Sequence, residues 1–492
     1  MKTPYFTALA VILCSTVVQN VAVARQAYPH TTRTAQVDRL FASWDRTGSP
    51  GAAVGIIKDG RIIYARGYGM ANLEYDIPNT PQTVFRIGST SKHFTAMAIA
   101  VLDSQGELSL DDDIRRYLPE IPAYEWPVTI RHMLHHTSGL RNYEVLMSLA
   151  GRDGPTHPVP YYTDAEAVDI IARQKALNFR PGDRYSYSNS NYFLLAEIIG
   201  RVSGMRTAEF ARQYLFEPLG MTATHFHDDV DVIVKNRASG YSPTGDGGFR
   251  VNMTKLPQIG TGSIFTTIDD FYKWDRNFYD NVLGDGSQDL IDRVQTPGRL
   301  NDGGSTHYGF GLDIRRFHGL RSIGHGGAFV GFRSYYLRFP EQRFSVVVLA
   351  NQGPFPDREL AEDIATIYLE DQFTEPRDAG RQTYRDDAGA DTGETEKQPV
   401  SLSRSERAGY AGRYYSHELD ATYALHTESD TLVLQVGRYH KEVVVATGPD
   451  TLTWSFGTLR AERGGTNDVT GLVLDVDGLP IRNIRFMKVH DR

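Results

Sequence analysis

Val37, Leu40, Phe41 and Trp44 recur at intervals of three and four, so the pattern predicts an amphipathic helix from about Thr34 to Trp44. AVGIIK and RIIYARGYG follow on either side of Asp59-Gly60, the dipeptide that favours a tight primed turn, and predict a β-hairpin. From Thr83 to about Asp280 the pattern is mainly helical with long loops, as in NYFLLAEIIGRVSG and DDFYKWDRNFYD. Strands return in RSIGHGG, FRSYYLRFP and RFSVVVLANQ, and RELAEDIATIYLEDQF reads as a closing helix. Strands at both ends and helices between them predict an α/β chain of the α+β kind: an antiparallel sheet assembled from both ends, flanked by helices, with an inserted helical subdomain. The site is expected between sheet and insertion.

Residues 374–401 are rich in Asp, Gly, Thr and Arg and almost devoid of apolar side chains, which marks a linker between a first domain at 32–373 and a second at 402–492. The second carries short, partly alternating runs such as TLVLQV, EVVVAT and GLVLDV at regular spacing and is expected to be a small all-β barrel.

The 492 residues are too many for one core, and 40% hydrophobic with 23% charged residues is ordinary for globular domains. A formal charge of −8 provides no field to gather nucleic acid. The first 24 residues combine Lys2, an apolar run and Ala22-Val23-Ala24, the pattern of a cleaved leader. Export to the periplasm or beyond is therefore expected, with no stable membrane insertion after removal. A membrane anchor is the alternative, but the run is short and interrupted by Thr, Ser, Gln and Asn. Cys14, the only cysteine, lies inside this leader, so the mature chain would hold neither disulfide nor thiol nucleophile.

Three short motifs carry candidate chemistry. Ser89 and Lys92 stand three apart at the start of a predicted helix, where the amine can reach the hydroxyl and the helix terminus disfavours a cation. That suits an activated serine, although alone it equally describes a capping Ser and a solvated Lys. Tyr187-Ser188-Asn189 sits between a Pro-Gly loop and an apolar helix; a Tyr beside a Lys can carry protons, and the Asn can hydrogen-bond an amide. As a bland alternative it is a helix-capping loop. His325-Gly326-Gly327 lies in a strand pattern, where glycines suit a close backbone approach, or else a bulge.

In this order and at these separations, S-x-x-K, Y-S-N and H-G-G resemble the signature of the serine β-lactamase and penicillin-binding-protein superfamily. The nearest resemblance is to class C β-lactamases and their D-aminopeptidase, DD-carboxypeptidase and esterase relatives. HHTSGL and GTGSIFTTIDDFYKW agree with it. The resemblance implies Ser89 as the acylated nucleophile, Lys92 as its activator and Tyr187 as general base and acid. It also implies that Asn189, His325, Gly326 and Gly327 bind substrate, and that the backbone amides of Ser89 and Ala328 form an oxyanion hole. No cofactor or metal is implied. The barrel resembles lipocalin-like appendages of some D-aminopeptidases, which can restrict the cleft to small substrates.

One departure redirects the expectation. Class C enzymes usually have Lys in the third motif; His325 is only fractionally charged at neutral pH and Gly326 lacks a hydroxyl. This points away from β-lactam hydrolysis toward amides or esters of small peptide-like substrates, with D-residues among them. The alternatives are a β-lactamase or penicillin-binding protein that keeps a long-lived acyl adduct, or a carboxylesterase. Oligomeric state is not readable. His132, His135 and His136 suggest zinc, but with neither an adjacent Glu nor a third ligand they read as the turn after a helix. His225 and His227 are expected in a surface loop, and Tyr161, Tyr162, Tyr185 and Trp274 in the core or lining the cleft.

Overall fold

The computed structural model describes residues 31–152, 162–376, 399–438, 440–479 and 481–489. The expected leader, most of the expected linker and Tyr161 lie outside them. The first helix, α1 (Thr32–Phe41), ends three residues before Trp44, which lies in the turn that follows and packs its ring 4.7 Å from that of Phe355. The hairpin forms as β1 (Ala52–Lys58) and β2 (Arg61–Tyr68), with Asp59 and Gly60 both at positive φ as the primed turn requires.

Four later strands complete the sheet: β3 (Asp313–Phe317), β4 (Leu320–Phe329), β5 (Phe332–Phe339) and β6 (Phe344–Ala350). Their order is β3-β4-β5-β6-β1-β2, and every neighbouring pair is antiparallel. β6 pairs with β1 from Ala52↔Ala350 to Lys58↔Phe344, so the first and last segments of the domain meet at mid-sheet. The strand β3 has no clear alternation in sequence, since Arg315 and Arg316 interrupt it.

Successive side chains of a strand face opposite ways, and both faces of this sheet are covered. On one side, Val54, Ile56, Val346 and Val348 pack with Val37 and Phe41 of α1 and with Leu360, Ala361 and Ile364 of the closing helix (Asp357–Leu369). Each fully buried Val, Ile, Leu or Phe among them contributes roughly 1.5–3 kcal/mol. On the other side, Ala53, Ile57, Val347 and Leu349 meet α2 (Lys92–Ser104) and the helix Ile268–Asn277. Beyond α2 lie α3 (Tyr143–Leu149) and α4 (Asn189–Ser203), part of the helical insertion.

The C-terminal unit is a closed eight-stranded antiparallel barrel running from Gly412–Ser416 to Ile484–Val489. A short helix, Arg404–Tyr410, precedes it where only strands were expected; Ser403 and Glu406 form its capping box. Two barrel strands, Gly412–Ser416 and Gly457–Arg463, also escape the sequence pattern because polar and aromatic residues blur their alternation. Trp274 is core, not cleft lining. His225 and Phe226 pair with Ile264–Thr266, and His227 is buried against Phe265, which corrects the expected surface loop. Among the described residues no helix is long and apolar enough to cross a membrane.

Asp275 ties the helix 268–277 to the sheet: its carboxylate accepts from Tyr336 Oη and Ser345 Oγ, both at 2.6 Å, and faces the buried Arg338 at 3.7 Å. Removing one partner of such a buried group strands the other charge, so Asp275→Ala is expected to lower unfolding stability by about 3–5 kcal/mol. Urea denaturation checks this, with Asp275→Asn losing less because it retains hydrogen-bonding atoms.

Candidate functional site

Ser89 lies on a 3₁₀ turn, Gly88–Ser91, that leads into α2, whose first residue is Lys92. In a 3₁₀ turn positions three apart eclipse, so the two side chains align, and Lys92 Nζ donates to Ser89 Oγ at 3.1 Å. Its second acceptor is the Thr261 carbonyl at 3.0 Å. Gly88 has φ +50°, a conformation open to glycine, and a Cβ there would lie 2.9 Å from the Ala328 nitrogen. A Cβ on Gly327 would stand 1.9 Å from the Ile87 carbonyl oxygen. The strand residues 325–328 therefore press directly on the Ser89 turn, with Ala328 exposed beside it.

Burial pushes the Lys92 amine down to about 7, against an opposing pull from the Glu144 carboxylate. The ammonium atom stands 4.9 Å over the ring of Tyr187. The Tyr187 hydroxyl is buried without a hydrogen-bond partner of normal geometry among the described residues. Burial raises its pKa well above 10, with the nearby Ser89 hydroxyl acting in the opposite sense. A neutral phenol, not the phenolate suggested by its lysine neighbour, is the form this pocket favours.

Asn189 opens α4, and its amide donates to Glu144 Oε2 at 2.6 Å. Because a carboxylate can only accept, this fixes the amide: Nδ2 faces Glu144, and Oδ1 has no partner among the described residues. Gln258 Nε2 donates to the other Glu144 oxygen at 2.7 Å. Glu144, in the first turn of α3, has no motif of its own and escaped sequence reasoning.

His325 is buried, and both ring nitrogens are engaged. Nδ1 donates to the Gly326 carbonyl at 2.6 Å, which leaves Nε2 to accept from Tyr308 Oη at 2.9 Å. Desolvation lowers its pKa to about 4, partly offset by Asp313, so the ring is neutral at pH 7. His325 thus lines the site as a fixed neutral ring, 6.2 Å from that of Tyr187. Gly326 faces the opposite way, toward Tyr335.

The three histidines of H-x-x-H-H diverge. His132 caps its own helix through Thr129, His135 bonds the Tyr308 carbonyl, and His136 accepts from Ser188 N at 3.2 Å. Among the described residues no group of three or more His, Cys, Asp or Glu could hold a metal. His136 nevertheless belongs to the site: its ring packs 4.3 Å from that of Tyr187, and its Nδ1 accepts from the Ser188 amide of the same motif. Tyr185 makes an edge contact with His136, and Tyr162 one with Tyr143.

Comparison with known proteins bears on the family and the fold. The family model described as Beta-lactamase matches residues 37–369. A D-aminopeptidase of Gluconobacter oxydans (strain 621H) is 34% identical over 308 residues, 62% of this chain and 56% of its own. The chain therefore spans about half the length of the curated relatives it matches. Among solved structures, the octameric penicillin-binding protein homologue from Pyrococcus abyssi aligns with TM-score 0.62 and 25% identity, covering 92% of this chain and 100% of that one. The D-amino acid amidase from Ochrobactrum anthropi SV3 shares the fold over 69% of this chain and 99% of its own, with TM-score 0.58 and 22% identity.

The buried amine has a consequence for stability. Its folded pKa lies below the ordinary 10.5, so between about pH 7 and 10.5 the unfolded chain binds more protons and stability rises with pH. The penalty is fully present below pH 7. Lys92→Met is expected to be more stable than the parent at pH 6 by a few kcal/mol, on the order of 1.4 kcal/mol for each pKa unit, and to lose that advantage by pH 10. Denaturant titrations at the two pH values check it.

Proposed function

Because the chain belongs to the Beta-lactamase family, we propose that it is an exported serine hydrolase that cleaves amides of small substrates with a free amino group, D-amino-acid derivatives foremost, through an acyl-enzyme. The observation that carries the reading is the Glu144–Asn189 pair, whose carboxylate is near enough to act on Lys92. A carboxylate and an amide oxygen that is buried without a partner among the described residues are both acceptors. Together they suit the ammonium of an unblocked amino terminus and not the carbonyl of an acylated one. The D-aminopeptidase relatives support the same substrate class. Neutral His325 offers no cation for a β-lactam carboxylate. Export rests on the leader-like pattern of residues 1–24.

In the proposed mechanism neutral Lys92 takes the proton of Ser89 Oγ as that oxygen bonds the substrate carbonyl carbon. The amides of Ser89 and Ala328, held together by the Gly88 contact, stabilise the resulting oxyanion. Tyr187, kept protonated by burial, relays a proton to the leaving amine, and the C–N bond breaks to leave the acyl group on Ser89. Water then attacks the ester, with Lys92 and Tyr187 moving its proton, and restores the free hydroxyl. The assignment of base and acid follows from the opposite shifts of the two groups.

Purified protein is to be tested on D- and L-alanine p-nitroanilide, p-nitrophenyl acetate and a chromogenic cephalosporin. Turnover of the D-anilide that Ser89→Ala abolishes is expected; rapid cephalosporin turnover, or unchanged turnover in Ser89→Ala, would overturn the proposal. Glu144→Gln should raise KM for the D-anilide about tenfold or more, with hydrolysis of the acetate little changed. The acetate profile should rise through an apparent pKa of about 7 as Lys92 loses its proton and then level off. The anilide profile should also fall above about pH 8, where the substrate ammonium deprotonates.

A further inference from the structure

The barrel touches the hydrolase domain at both ends of α3, the helix whose first turn carries Glu144. At the N-terminal end, Arg141 is buried and its guanidinium donates to Glu418 Oε2 at 2.7 Å, the Arg482 carbonyl at 2.8 Å and Gln174 Oε1 at 2.8 Å. Glu418 and Arg482 belong to the barrel unit. The Glu418 carboxylate also accepts from the Lys175 amide, and the Glu418 carbonyl accepts from Gln174 Nε2. At the C-terminal end, Tyr423 of the barrel donates its hydroxyl to the Leu149 carbonyl at 2.8 Å, and Gly151 packs on Val436.

From Arg141 the connection to the site is short. Its carbonyl accepts from Ser190 Oγ at 2.6 Å, and Ser190 in turn accepts from the Tyr143 amide at 2.8 Å. Ser190 follows Asn189, and Asn142 caps α3 by accepting from the Glu144 amide. The barrel's carboxylate is therefore linked through one buried arginine to both members of the Glu144–Asn189 pair.

We propose that the C-terminal barrel is a clamp on α3, and that Glu418 and Tyr423 are positioning residues that hold Glu144 where it meets the substrate ammonium. The inference rests on the amine-binding reading of Glu144. A buried Arg–Glu pair is weak evidence of stabilisation alone, because desolvation offsets much of its attraction; its distinctive contribution is a fixed geometry. A helix of seven residues has little stability of its own, so its placement depends on what grips its ends.

The test uses the full chain with Glu418→Gln and Tyr423→Phe, both close in shape to the parent, and Glu144→Gln as reference. Two readouts are compared: steady-state kinetics on D-alanine p-nitroanilide and p-nitrophenyl acetate, and hydrogen exchange of the amides at 143–149. Each barrel variant should raise KM for the anilide about three- to thirty-fold, leave the acetate reaction unchanged and speed exchange at 143–149 relative to 189–203. Equal losses on both substrates, or unaltered anilide KM and exchange in folded variants, would overturn the clamp. If Glu144→Gln itself leaves the anilide KM unchanged, the amine reading fails; the exchange measurement still decides whether the barrel grips α3.

Discussion

The contact on which this molecule depends is between two stretches of backbone without side chains. The strand at Gly327 and the turn at Gly88 approach so closely that a Cβ on either would collide with the other. Thr90 Oγ1 and Ser334 Oγ, 2.8 Å apart, and the bond from Ser334 Oγ to the Ile87 carbonyl pin the same junction. Because sheet and helical insertion meet there without spacer atoms, the Ser89 and Ala328 amides are brought into one neighbourhood and Lys92 is closed off from solvent. The low amine pKa is a consequence of this packing: a looser junction would admit water and restore the proton.

Around that junction, charge is arranged by exclusion. Lys92 and His325 are both depressed by burial, and Tyr187 is raised by it, so at pH 7 His325 and Tyr187 are uncharged and the Lys92 amine stands near the midpoint of its titration. Glu144 is the carboxylate that acts on both Lys92 and Tyr187, and it stands to one side, held by Asn189 and Gln258. In the proposed mechanism chemistry and recognition are thereby separated in space: groups that pass protons at the serine, and a carboxylate beside them that meets the substrate amine.

The elements legible in the sequence were those whose signal is local. The i, i+3, i+4 apolar spacing of α1, the Asp59-Gly60 turn and the continuous apolar run of β6 each depend on neighbours in the chain, and each formed as expected. Ser89, Lys92, Tyr187, Asn189 and His325 were legible through the order of three motifs, and the fold brings them together. Glu144, His136 and Tyr308 were not, because each contributes through a partner far along the chain: Asn189, Tyr187 and His325. His136 was read only as part of a turn after a helix. It is one, at φ +55°, but the same geometry also aims its ring at Tyr187. Ring protonation was likewise beyond sequence, since desolvation is a property of the packed state.

The pairing of β1 with β6 also sets a clock. The two strands lie next to each other at the middle of the sheet, yet the second follows the first by most of the domain. With synthesis at about 5–20 residues per second, roughly 15–60 s separate the emergence of Ala52 from that of Ala350. During that interval the AAVGIIK segment has only β2 beside it, and one apolar edge lacks its neighbour. Such high contact order makes folding slow, and it leaves the nascent chain dependent on whatever shields that edge until β6 arrives.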